Sequence, residues 1–114
     1  MWRKMMTPNE YQRNAVSFRL PSYNLEATFA GLASEAGEVL GVRQKFLRDT
    51  NPDSYEDYTV YLANIEKELG DLLWHIAVLA DYYDIRLSTV MEENINKLVD
   101  RAARNKIGGK GDNR

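Results

Sequence analysis

A chain of 114 residues with no cysteine, one histidine and a formal net charge of −2 has room for one domain with a modest core. The missing thiols exclude disulfides and thiolate metal centres. A lone histidine argues against an ordinary zinc site, and near-neutral charge argues against a general grip on nucleic acid. No apolar run is long enough to span a bilayer and "MWRKMMTPNE" has no leader-like apolar core, so a soluble cytoplasmic protein is expected.

Helix signals dominate in chain order. Thr7-Pro8-Asn9-Glu10 reads as a helix start, with Thr7 as cap, Pro8 in the first turn and Glu10 completing a capping box. That helix is expected to reach about Arg19 and stop before Pro21. A second helix begins near Tyr23 or Asn24 and runs to about Phe46, with Leu25, Phe29, Leu32, Ala36, Val39, Leu40 and Phe46 at helical spacing. Gly31, Gly37 and Gly41 weaken it in isolation, which points to close backbone approach.

"RDTNPDSYED", residues 48–57, reads as a turn-rich loop. A third helix from about Ser54 to Tyr83 carries a broad apolar face of Leu62, Ile65, Leu69, Leu72, Leu73, Ile76 and Leu79. Ser88 is the expected cap of a fourth helix, about 88–104, with Val90, Ile95, Leu98 and Ala102 facing inward. The fold class expected is all-α, an antiparallel bundle of about four helices. Residues 1–106 form the single domain and 107–114 a flexible tail.

Two acidic pairs interrupt the apolar segments. "GLASEAGEVLG", residues 31–41, carries Glu35 and Glu38; "EKELGDLLWHI" carries Glu68 and Asp71. Residues three apart share a helix face, and consecutive helices joined by a short loop pack antiparallel, so four carboxylates can converge between them. Like charges crowded in a poorly hydrated space repel and favour protonation, and a hard divalent cation relieves that. Oxygen ligands alone select Mg²⁺ or Mn²⁺ over zinc. The competing reading is that each pair lies on a solvated face. A ferritin-like di-iron site would need E-x-x-H pairs, and His75, four residues after Asp71, has no second histidine to join it.

"GLASEAGEVLG" followed by "EKELGDLLWHIAVLA" resembles the MazG-like all-α nucleoside triphosphate pyrophosphohydrolases, whose signature is E-E-x-x-E, a spacer, then E-x-x-D. The likeness covers most of the chain, and "ENINKLVDRAARNKIGGKGDNR" resembles the C-terminal pattern of small, phage-type members. The resemblance implies Mg²⁺-dependent cleavage of a (d)NTP to the monophosphate and pyrophosphate, with Mn²⁺ as a substitute. It carries the metal ligands to Glu35, Glu38, Glu68 and Asp71, and the proton-accepting role to Glu38 or Glu35. One departure stands out: Ser34 occupies the place of the first glutamate of the family's E-E pair.

Contacts for the phosphates are sought in Lys45, on the stripe of Glu35 and Glu38, and in Asn94, Lys97 and Arg101, which the resemblance makes phosphate or sugar contacts. His75 continues the Glu68–Asp71 stripe and is the candidate for base recognition, ahead of Trp74, whose spacing suits the core. The resemblance further implies a homodimer or homotetramer acting on nucleotides, in the host cytoplasm if phage-encoded. No nucleic acid polymer or membrane is expected as a partner. A dUTP- or dCTP-selective diphosphatase of the same superfamily is the nearest rival, and a non-catalytic helical interaction module is the rival from another class.

Overall fold

The computed structural model describes residues 5–114; the first four residues of the stretch read as lacking a leader lie outside the described residues. Four helices follow in order: α1 Pro8–Ser17, α2 Leu25–Asp49, α3 Tyr55–Tyr82 and α4 Leu87–Ala103, with no strand among the described residues. Three begin on side-chain caps that satisfy otherwise orphaned backbone donors. Thr7 Oγ1 accepts from the Glu10 amide, Asn24 Oδ1 from Ala27 and Ser54 Oγ from Asp57. α1 stops two residues short of Arg19, where the Phe18 and Arg19 amides turn back onto Ala15 and Val16. α2 runs three residues past Phe46 and ends when Thr50 turns extended ahead of Asn51-Pro52.

α4 is capped differently from the sequence expectation. Its N-cap position is Arg86, which makes no side-chain cap bond, and Ser88 sits inside the helix. The caps come from α1. Gln12 Oε1 accepts from the Leu87 amide at 2.9 Å, and Asn9 Oδ1 accepts from the Ser88 amide at 3.1 Å. Gln12 Nε2 also donates to the carbonyls of Ala77 and Ile85, at 3.1 and 2.9 Å, so one buried amide joins α1, the end of α3 and the start of α4. Asp84 and Asn105 close α3 and α4 in the left-handed region, a conformation that Asp and Asn tolerate better than most residues.

α2 and α3 form a long antiparallel hairpin. Phe46 stacks on Tyr61 at 4.1 Å near its loop end, and Gly31 meets His75 further along. α1 lies across α3, held by Trp74 Nε1 donating to the Ala15 carbonyl at 3.0 Å. Ala15, Ala77 and Leu87 make the small core, with Tyr11, Trp74 and Ile76 packed on it. α4 packs on α1 and α3, and shares with α2 an open apolar groove lined by Phe29, Leu32 and Val90.

The apolar face expected to fill a bundle core is therefore left open within one chain. Leu40 is 71% exposed, Leu69 50% and Ile95 57%, and Phe29, Leu62, Leu73, Val90 and Leu98 are also exposed. At about 100° per residue, Phe29, Leu40 and Leu47 share a stripe well over a quarter turn from Glu35 and Glu38, pointing away from the hairpin seam. The radius of gyration of 17.4 Å exceeds the roughly 13 Å of a compact globule of this length.

Gln12→Ala is expected to lower unfolding free energy by about 2–4 kcal/mol in urea denaturation, because it removes three hydrogen bonds and strands buried partners. Ser88→Ala should stay within about 0.5 kcal/mol of the parent. Equal losses in the two variants would restore the cap to Ser88.

Candidate active site

Glu35 on α2 and Glu68 and Asp71 on α3 bring one carboxylate oxygen each to within 4.8 Å of one another. Helical spacing explains this: the two α3 acids are one turn apart, and the antiparallel seam sets Glu35 opposite them. The Glu35 and Glu68 carboxylates face one another across the seam. Desolvation, then the charges of Asp71, Glu35 and Glu38, push the Glu68 carboxyl above the ordinary range. Glu38 lies outside the group of three but close enough to act on Glu68 electrostatically. An all-oxygen, charge-crowded donor set of this kind suits a hard divalent cation.

The seam opens into a cavity on either side of the carboxylates. The one towards the hairpin loop, about 440 Å³, is lined by Glu38, Lys45, Asn64 and Glu68 beside the stacked Phe46 and Tyr61. Lys45 thus shares a cavity with Glu38 and Glu68, while Glu35 lines the other one. The other, about 420 Å³, is lined by Tyr23, Gly31, Ser34, Glu35, Trp74 and His75, among others. Ser34 stands beside Glu35 there, exposed.

His75 is buried, with both ring nitrogens engaged. Nδ1 lies 2.8 Å from the Asp71 carbonyl, which can only accept, so Nδ1 carries the proton. Nε2 lies 2.6 Å from the Tyr23 hydroxyl, in hydrogen-bond contact. Desolvation and the nearby Glu35 charge push the Tyr23 pKa up. A Cβ on Gly31 would overlap both the Tyr23 hydroxyl and His75 Nε2, so this is the glycine whose missing side chain the seam requires.

Sequence spacing could not reveal Tyr23, which comes from the α1–α2 linker, or Tyr11 on α1, whose pKa is raised by desolvation and by Asp71. Trp74 is a tie to α1 and part of the core, as its spacing suggested. The α4 stripe is elsewhere. Asn94 and Lys97 line a separate groove with Val90 and Glu93, and Arg101, 4% exposed, is paired with Asp112. No α4 residue lines either cavity beside the carboxylates.

Residues 23–104 match the family model of the MazG nucleotide pyrophosphohydrolase domain. The chain is also 42% identical over 87 residues to the Gene 37 protein of Mycobacterium phage L5, an alignment covering 74% of this chain and 71% of the phage protein. No solved structure matches the chain significantly.

Two outcomes are expected. Gly31→Ala should lower the melting temperature although alanine favours helix by up to ~1 kcal/mol, because the Tyr23–His75 bond must break. A variant as stable as the parent would show that the pair yields freely. The raised pKa of Glu68 adds stability below its unfolded value that is lost as pH rises through its folded value. The metal-free protein should therefore weaken as pH rises above the ordinary carboxylate range, while Mn²⁺ affinity rises in the same direction. Metal affinity independent of pH would remove Glu68 from the site.

Proposed function

We propose that this chain, which belongs to the MazG nucleotide pyrophosphohydrolase domain family, hydrolyses (d)NTPs to (d)NMP and pyrophosphate with Mg²⁺ bound at the α2–α3 seam. The observation that carries the reading is the convergence of Glu35, Glu68 and Asp71 at the α2–α3 seam of a chain of that family. Crowding by Asp71, Glu35 and Glu38 raises the Glu68 pKa, which supports a site where a cation would relieve like charge.

In this reading Glu35, Glu68 and Asp71 hold the cation, with Glu38 an additional ligand or its neighbour. Mn²⁺ would substitute. The bound ion supplies charge for the triphosphate and a lowered pKa for water. Water attacks the α-phosphorus, the Pα–O–Pβ bond breaks and pyrophosphate leaves. Glu38, which stands outside the group of three, accepts the water's proton. Lys45 faces the phosphate chain from the loop side and His75, with Tyr23, borders the cavity offered to the nucleoside. Selectivity for dUTP or dCTP is a narrower version of the same reaction. The complete acidic quartet argues against a purely non-catalytic interaction module.

A second copy of the chain fits the open apolar stripes, giving a homodimer or a homotetramer of paired dimers. Because no α4 residue lines a cavity beside the carboxylates, Asn94, Lys97 and Arg101 would serve a carboxylate cleft through such association. No helix among the described residues is long and apolar enough to cross a membrane, which is compatible with work on the cytoplasmic nucleotide pool, of the host if the gene is a phage's.

A panel of canonical and modified (d)NTPs, with products resolved, should give monophosphate plus pyrophosphate and no diphosphate, and no turnover in chelator. Glu38→Gln and Asp71→Asn should abolish turnover, while metal-free stability holds or rises as like charge is removed. Near-normal turnover in either variant would overturn the site. Leu40→Glu should dissociate the oligomer in sedimentation and lower activity with it. A monomeric parent with full activity would overturn the association.

A further inference from the structure

Residues after α4 turn back along it. One oxygen of Asp112, Oδ1, accepts from Lys97 Nζ at 2.9 Å and from Arg101 Nη2 at 3.1 Å. Arg101 Nη2 also lies 3.4 Å from the Gly111 carbonyl, and Arg104 Nη2 donates to the Arg114 carbonyl at 2.9 Å. The turn depends on Gly109 and Gly111 at positive φ, 109° and 83°, which only glycine adopts without strain. The two cations differ in setting: the Arg101 side chain is 5% exposed and the Asp112 carboxylate on it is 78% exposed. A buried guanidinium is thus closed off by a single carboxylate that solvent anions can reach.

We infer that Asp112 is an internal ligand of the Lys97–Arg101 pair, occupying the place of a phosphate oxygen, and that a polyphosphate displaces it and releases the strap 105–114. The inference rests on the reading above that this pair meets the nucleotide's phosphates. The charges favour exchange, since two cations face one carboxylate and are left under-compensated, whereas a polyphosphate brings several charges. Lys97 and Arg101 hold the Asp112 carboxyl below the ordinary range, so it is fully ionised at neutral pH and competes with any other anion. The closed strap is also incompletely satisfied: Arg114 Nε is buried without an acceptor. Glycines on both sides of Lys110 let the segment open without breaking α4.

The test uses the full chain in chelator, with inorganic tripolyphosphate titrated by calorimetry, so that neither metal nor turnover enters. Asp112→Ala should bind about three- to tenfold tighter than the parent, the scale of losing one or two partly exposed ion pairs. Lys97→Ala, at a half-exposed position, should bind more weakly. Amides of residues 105–114 should exchange faster with solvent once the parent is saturated. Equal or weaker binding by Asp112→Ala, or slower exchange on saturation, would overturn the proposal and make the strap a lid. Failure of (d)NTP hydrolysis would leave these binding results standing, and their failure would leave hydrolysis standing.

Discussion

Crowding of acidic side chains in the seam between α2 and α3 is the constraint from which the rest of the molecule can be understood. A helix pair normally spends its facing positions on apolar contact. Here the middle of the seam holds Glu35, Glu68 and Asp71, with Glu38 near enough to be felt. The seam is instead held at its ends, by Phe46 stacked on Tyr61 towards the loop and by the Tyr23–His75 pair lodged against Gly31 on the other side. The apolar side chains that would have filled the middle point outward. A charged seam and an apolar exterior are two aspects of one allocation of side chains.

That allocation explains why α1 matters despite its ten residues. With so little core between α2 and α3, the end of the hairpin is organised by polar ties. Trp74 reaches Ala15, Gln12 reaches three backbone groups, and Tyr82 donates to the Tyr23 carbonyl at 2.8 Å beneath the Arg19 guanidinium. These bonds also fix the linker that carries Tyr23, so the wall of one cavity is set by contacts some distance from the carboxylates.

Local chemistry was the legible part of the sequence. Thr7, Asn24 and Ser54 sit where capping residues sit, and the helices start where those residues say. Spacing was enough to bring Glu35 towards Glu68 and Asp71, because i,i+3 placement and an antiparallel hairpin leave little freedom. What failed to show was long-range. Ser88 has the right chemistry for a cap, but Asn9 and Gln12, nearly eighty positions earlier, take that role. Gly31 announced a close approach without naming Tyr23 and His75 as what approaches. The inward direction assigned to Ile95 and Leu98 followed helical periodicity, which finds an apolar stripe but not which molecule covers it.

The reach of Gln12 has a consequence for how the chain acquires its shape. α2 and α3 are neighbours in sequence, so their hairpin closes over a short loop at little entropic cost. The bond from Gln12 to Leu87 spans 75 residues and that from Trp74 to Ala15 spans 59. Contacts of such separation form late, after the entropy of the intervening chain has been reduced. During synthesis α1 emerges first, yet its docking site is incomplete until Leu87 has been added. Until then the hairpin lacks the bonds by which Gln12 ties α1 to Ile85 and Leu87.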